Sequence, residues 1–406
     1  MISAHLRRAL GSAPLILIGC GLILFLRRPD QFHHPQFWAE DGFFYERHLA
    51  NGWHTLVESY AGYLHTLPRL IAGTAWWWNP IFAPAWFVGC SALATLYVAS
   101  RALSSRQAFS PRPLLALSVV LVPDAFEVLL NVVNLQWLVA AGLILLLLSR
   151  DPETAAGTIH DLSAALIMGV TGPFSIMLAP FFFIRALVRK SSASRILAGL
   201  VALTAAVQTT FILRAKETVP ANARIQLGDG VSAIGSRLAG SLFTGGRMTQ
   251  ESPMAVLWIL ALFTVVLVGV AGFRRGPEQL IRGLLAGAFL ALLAASLYRC
   301  RWNLPELRHA GYGARYFFPL QLALLWLLFS FLGDSQRVWR GSAIALLILA
   351  FATNVPRLRE PAFPDLHWGA YAPKISKGEA VVIPINPAGW TIPLPARPAI
   401  DSARKL

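Results

Sequence analysis

The stretch MAVLWILALFTVVLVGVAGF, residues 254–273, decides the fold, because its twenty residues carry no charge. Wound as a helix at about 1.5 Å per residue it would reach about 30 Å, the thickness of a bilayer's hydrocarbon core. Working outward, comparable apolar runs recur along the chain: Ala9–Leu26, Pro84–Ser100, Pro113–Pro123, Gln136–Leu148, Leu162–Thr171, Pro173–Val188, Ile196–Leu213, Leu280–Leu297, Phe317–Leu332 and Ser342–Asn354. Several are short and need flanking residues to complete a crossing. Only 14% of the 406 residues are charged and 56% are hydrophobic, whereas a soluble domain is roughly a quarter charged. Lipid is the solvent for most of this chain, and the 13 Trp and 24 Phe, many at the ends of apolar runs, suit the membrane–water boundary.

The expected architecture is an all-α polytopic membrane protein with about eleven transmembrane helices. Arg7 and Arg8 precede the first run with no small-residue cleavage site before Arg27, which reads as an uncleaved signal anchor, with a cleaved signal as the alternative. Alternate connections carry Arg101, Arg106 and Arg112; Arg150; Arg185, Arg189, Lys190 and Arg195; Arg274, Arg275 and Arg282; and Arg337 with Arg340. Basic residues stay on the cytoplasmic side, so the N-terminus is expected inside and, with an odd number of spans, the C-terminus outside, as in a bacterial inner membrane. The net charge of +15 is scattered between apolar runs and forms no continuous stripe, which argues against nucleic acid and for topology and anionic lipid. Cys20, Cys90 and Cys300 show neither metal-ligand spacing nor a disulfide framework.

Residues 1–354 thus form the membrane domain and residues 355–406 an extracytoplasmic tail. Within the tail, Ala380–Ile385 and Trp390–Leu394 are extended candidates flanking Asn386-Pro387-Ala388-Gly389, a sequence with turn chemistry, so a small β-hairpin is expected. Its prolines suit edge strands, and a tail of this size needs the membrane body beneath it.

The first outer loop, residues 27–68, is the densest polar region of the N-terminal half, with His33, His34, Glu40, Asp41, Glu46, Glu58 and His65. Tyr45, Leu49, Trp53 and Leu56 recur at helical spacing and predict an interfacial amphipathic helix with Glu40 and Asp41 at its start. Carboxylates there can simply cap the helix. Flanked by Trp38, Gly42, Phe43 and Phe44, they can also act as a base, since an apolar setting raises a carboxylate's pKa toward neutrality.

With Phe37-Trp38-Ala39-Glu40-Asp41-Gly42 in this loop, the chain resembles the GT-C membrane glycosyltransferases, which use a polyprenyl-phosphate sugar as donor. The likeness is one of arrangement: an N-terminal span, an acidic motif with interfacial helices in the first outer loop, many further spans, and arginines in the outer loops. It implies that a first-loop carboxylate takes the proton from an acceptor hydroxyl as polyprenyl phosphate leaves with inversion. Carried onto this chain, Asp41 is the expected base and Glu40 the supporting or alternative carboxylate. The implied partners are the lipid-linked donor, a glycan or lipid-linked acceptor, and membrane lipid.

Elsewhere, Glu127, Asn131 and Asn134 are spaced four and three apart, so on a helix they would share one face. With Trp137 nearby, that face can line a sugar-binding cavity or form a network between helices. Thr171-Gly172-Pro173-Phe174-Ser175 reads as a re-entrant turn on the same side. Phosphate calls for arginine, supplied by Arg214, Lys216, Arg224, Arg237 and Arg247 in one outer connection and by Arg299, Arg301, Arg308 and Arg315 in another. His309–Tyr316 enters a span directly, which puts Arg315 and Tyr316 near the headgroup plane, where they can bind donor phosphate or anchor to lipid. His65 can touch substrate or be structural, and Arg27-Arg28 lie on the side the charge rule disfavours. No Asp-x-Asp or H-E-x-x-H pattern is present, so a divalent metal is neither required nor excluded. A lipid-linked saccharide transporter and a polymerase or ligase with a lipid-diphosphate donor are the competing functions. A transporter should place its polar groups near the midplane, often in two similar halves; here they gather on one face and no halves repeat.

Overall fold

Every apolar run carries a helix in the computed structural model, which describes residues 12–109, 111–215, 226–245, 252–276, 278–309 and 312–399. Arg7, Arg8, Lys216, Arg224, Arg247, Ala310 and Gly311 lie outside the described residues. In chain order the principal helices are α1 (Ala13–Arg27), α2 (Asp41–Asn51), α3 (Thr66–Ala75), α4 (Ala83–Leu103), α5 (Arg112–Leu121), α6 (Leu135–Leu148), α7 (Ala155–Gly169), α8 (Phe174–Arg189), α9 (Ser192–Arg214), α10 (Leu227–Gly235), α11 (Met254–Phe273), α12 (Gln279–Arg299), α13 (Phe318–Ser330), α14 (Arg337–Asn354) and α15 (Trp368–Lys377). Prolines begin several of them, at Pro14, Pro84, Pro113 and Pro319, where a missing N–H costs nothing because the first turn has no partner for it.

The solvent of these helices is legible in their exposed faces. All 14 residues of α6 and all 13 of α13 are buried; they form the hub. Around them α9 and α11 expose Leu203, Leu213, Ile259, Leu262 and Val266, a surface that water would not tolerate and lipid would. Five helical segments, Pro80–Leu103, Ser192–Arg214, Met254–Phe273, Gln279–Arg299 and Arg337–Arg357, are long and apolar enough to cross a membrane. Shorter apolar helices, α1, α5, α6 and Ala314–Ser330, pack among them. The protein is a helical membrane protein.

The connections between these helices gather at two ends. At one, Arg106 holds Asp161 and Gln107 holds Ser149, while Arg185 holds Asp151 and Arg274 holds Asp334. At the other, Glu127 meets Arg315, His65 pairs with Thr171, and Arg27 meets Glu360. The second end is built on the first long loop. There β1 (Ser59–Tyr60) pairs antiparallel with β2 (Tyr63–Leu64). The tail adds β3 (Val381–Ile385) and β4 (Trp390–Leu394), also antiparallel, with Ile383 opposite Ile392.

This hairpin packs on α2. A Cβ on Gly42 would stand 2.6 Å from the Ile392 side chain and 2.7 Å from that of Ile385, so a larger residue would have to push both isoleucines aside. The tail also grips the acidic segment: Ala39 N donates to Asn386 O at 2.5 Å and Asn386 N to Phe37 O at 3.3 Å. Ala39 is held at φ 45°, a left-handed conformation that costs a non-glycine residue about 1–2 kcal/mol, and Asn386 supplies the hydrogen bond that fixes it.

Three local expectations change. No helix runs through Glu127–Asn134; Asp124 and Leu130 have positive φ and the segment is a series of turns ahead of α6. The predicted interfacial helix stops at Gly52, φ 57°, so Trp53 and Leu56 fall on a 3₁₀ turn. Thr171, Gly172 and Pro173 form a tight turn between α7 and α8, and Phe174 and Ser175 open α8; Gly172 N donates to Leu64 O at 2.9 Å and the buried Gln208 amide donates to the main-chain oxygens of Leu64 and Gly172.

Candidate functional site

Glu40 and Asp41 are neighbours in sequence with opposite surroundings. Asp41 opens α2 and turns inward, 2% exposed, and its Oδ1 accepts from Val132 N at 3.0 Å and Val133 N at 2.7 Å. Burial pushes its carboxyl up to about 7, against the opposing pull of those two amides. It fastens the loop ahead of α6 to the start of α2. Glu40 faces the other way, half-buried, and the Tyr60 hydroxyl donates to its Oε1 at 3.2 Å. Burial, and then the Glu40 charge, raise the Tyr60 hydroxyl above the ordinary phenol range.

The loop that Asp41 fastens delivers Glu127. Arg315 meets it twice, the main-chain N–H to Oε2 at 3.0 Å and Nη1 to Oε1 at 3.1 Å. Burial raises the Glu127 carboxyl, opposed by Arg315, and the Glu40 charge adds to the rise. Burial alone would lower Arg315, yet Glu127 and the Tyr316 hydroxyl, with Glu40, hold its guanidinium firmly protonated. The Arg315 side chain keeps 31% of its surface open. Glu40, Glu127 and Arg315 are therefore one electrostatic group at one end of the helical body.

Aromatic rings frame this group. Trp137 packs edge-on against Tyr316 at 4.9 Å and Phe174 at 5.0 Å, and its indole N–H finds no acceptor among the described residues. Tyr63, bonded by Gln136, is pushed up to about 12 by burial and then by neighbouring Tyr316, with Arg299 opposing. Tyr60, Tyr63 and Gln136 adjoin the site although spacing alone does not single them out, and Arg299, a candidate from the sequence, acts on Tyr63 and Tyr316. A signal existed for the tyrosines: Ser59-Tyr60-Ala61-Gly62-Tyr63-Leu64 places a turn with Gly62 at φ 89° between two short extended pairs.

The remaining expected residues go elsewhere. Asn131 Nδ2 and Asn134 Nδ2 both donate to the Glu127 main-chain oxygen, at 2.7 and 2.6 Å; they shape the turn and offer no shared polar face. Their short amides satisfy local backbone, the usual use of asparagine in turns. His65 is fully buried among Phe44, Tyr60 and Tyr63, and burial lowers it to about 3. It is a neutral residue enclosed in the interior. Arg301 lies over the Tyr298 ring, 4.1 Å from its centroid, and Arg308 reaches Ser252 O at 3.4 Å, so neither joins Arg315. Arg237 is consumed by the main-chain oxygens of Leu307, His309 and Tyr312, holding the loop that leads to Arg315. Among the described residues no group of three His, Cys, Asp or Glu side chains could hold a metal ion.

Fold and site together define a helical membrane protein with a carboxylate–arginine group, walled by tyrosine and tryptophan, at one end of its bundle. No family model, curated protein or solved structure matches the chain.

Proposed function

We propose that this protein is an inverting membrane glycosyltransferase that moves a sugar from a polyprenyl-phosphate donor to a glycan or lipid-linked acceptor at the outer face of a bacterial inner membrane. The observation that carries the reading is the juxtaposition of half-buried Glu40 with the Glu127–Arg315 pair at the end of an apolar bundle. A base and a fixed cation within one electrostatic group are what transfer from a lipid phosphate requires.

In this mechanism Glu40, not the enclosed Asp41, takes the acceptor's hydroxyl proton. The acceptor oxygen forms a bond to the anomeric carbon as the bond from that carbon to the phosphate oxygen breaks, and the electron pair leaves on polyprenyl phosphate. Arg315, held by Glu127, offsets the charge on the departing phosphate through the fork geometry that suits it. Tyr60 orients Glu40, and the Trp137 indole N–H is a donor for a sugar hydroxyl. Asp41 positions the loop that carries Glu127. By the distribution of arginines between connections, the N-terminus is cytoplasmic and this end extracytoplasmic.

The test is turnover of labelled polyprenyl-phosphate sugars by purified protein with envelope glycan acceptors. Glu40→Gln should lower the rate by roughly a hundredfold to ten-thousandfold while Tyr60→Phe costs less. Full turnover in Glu40→Gln would remove the base, and movement of the saccharide across vesicles without a new glycosidic bond would replace the transferase by a transporter.

A further inference from the structure

A second polar feature lies beyond the wall of this site. Trp38 meets Phe126 edge-on, centroids 6.4 Å apart, and on the far side of that pair a cleft of about 380 Å³ opens. Its lining includes Arg27, Leu121 and Asn354, the last residues of α1, α5 and α14, together with Asp124, Arg357 and Arg359. The cleft therefore sits where three apolar helices end.

The charges around it are unequally committed. Arg27 gives Nη1 to the oxygens of Val120 and Val122 and Nη2 to Glu360, so it is floor. Asp124 accepts from the Ser241 hydroxyl and faces Arg237 at 3.7 Å. Arg28 joins Asp30 and Glu360 and lies 3.6 Å over Phe363. Both carboxylates at the cleft thus already have cationic partners. Arg357 and Arg359 are exposed and form no ion pair within 4 Å among the described residues. Arg357 donates from Nη1 to Thr353 O at 3.4 Å, and it lies so close to Gly245, φ 80°, that a Cβ there would run into its guanidinium.

We propose that this cleft binds the phosphate of a membrane lipid, with Arg357 and Arg359 as its cationic ligands. Arginine matches phosphate oxygens two at a time, and basic pockets between helix ends are suited to anionic headgroups. The lipid's chains have a surface to follow. α1 exposes Leu15, Ile18, Leu22 and Leu26, one stripe at helical spacing, and α14 exposes Ile344 and Ile348. This site is independent of Glu40 and Arg315 and stands whether or not the transferase reading does.

Delipidated, full-length protein in detergent would be titrated with a short-chain phosphatidic acid and, separately, with inorganic phosphate, reading bound ligand by native mass spectrometry. Wild type should take up the phosphatidic acid, and Arg357→Gln with Arg359→Gln should weaken it at least about tenfold, the effect of losing a charge-assisted contact. The pair Arg337→Gln with Arg340→Gln removes the same charge from the opposite end and should change nothing. Gly245→Ala keeps every charge but displaces Arg357, and should also weaken binding. Should the double variant lose its fold, Arg359→Gln alone, an exposed change, carries the test with the same direction. Equal binding in wild type and both cleft variants overturns the proposal, as does equal weakening by the distant pair, which would mean bulk charge only. Inorganic phosphate binding as tightly as the lipid would assign the cleft to a soluble phosphate compound instead.

Discussion

Two pairs of carboxylates, one at each end of the bundle, sit in opposite surroundings. At the end of short connections, Asp151 receives Arg185, Arg189 and the hydroxyls of Ser191 and Ser194; burial alone would raise it, but these partners hold it down to about 2. Asp334 is likewise held down to about 2, chiefly by Arg274 at 2.7 Å. At the long-loop end, burial lifts Asp41 to about 7 and raises Glu127 despite its arginine. Asp151 and Asp334 are held charged by their partners, whereas burial favours the protonated form of Asp41 and Glu127. Strongly perturbed carboxyls cluster at functional sites as well as in structural ion pairs, so the direction of the shift, and not its presence, separates these two pairs.

The sharpest way to break this comparison is to mutate both ends. Glu40→Gln should cost roughly two to four orders of magnitude in turnover with thermal unfolding unchanged. Arg185→Ala, at the other end, should do the reverse, because a buried arginine at 1% exposure leaves Asp151 without its closest cation. It should cost about 3 kcal/mol of stability, read as a lower unfolding midpoint, and leave turnover per folded molecule intact. A large activity loss in Arg185→Ala would mean that the ends are coupled and the division is false.

A smaller effect sharpens the role of the tail. Gly42→Ala places a methyl against Ile385 and Ile392, an overpacking that typically costs about 1–3 kcal/mol. Protease cleavage of residues 381–394 should become faster, and turnover should fall with it, since Asn386 holds the segment that presents Glu40. Faster cleavage with unchanged turnover would show the hairpin to be only a lid.

Much of this fold is legible in the sequence because lipid leaves few options: the chain must bury its own hydrogen bonds in helices, so apolar runs and helices coincide. The tail hairpin is legible from Asn386-Pro387-Ala388-Gly389, and the start of α2 from the paired acids. The site is less legible, for physical reasons that reside far along the chain. Whether Glu40 or Asp41 faces inward depends on the amides of Val132 and Val133, some ninety residues away. Glu127, Asn131 and Asn134 have helical spacing but no helix, since Leu130 adopts φ 62° and both amides turn back on the Glu127 oxygen. His65 can be read from the sequence as a substrate contact or as structural, and only its full burial favours the second. Tyr60 carries no pattern beyond its hairpin, and only the fold shows that its hydroxyl reaches Glu40.

The prediction most diagnostic of Asp41 is a pH dependence. Its folded carboxyl sits at about 7 against an ordinary 3.8, so the folded state binds that proton more tightly than the unfolded chain. The stabilisation is therefore complete below about pH 4 and declines as pH rises toward 7, with a limiting slope of about 1.4 kcal/mol per unit. Asp151, lowered to about 2, acts in the other sense: its contribution is present above its ordinary value and is lost as pH falls toward 2. Asp41→Asn keeps an oxygen to accept from Val132 and Val133 but removes the titration, so it should flatten the unfolding midpoint between pH 4 and 7, whereas Asp151→Asn should leave that window unchanged and lessen acid sensitivity below it. If Asp41→Asn retained the slope, the buried carboxyl would already be ionised throughout that window, and the contrast between the two ends would shrink to Glu127 alone.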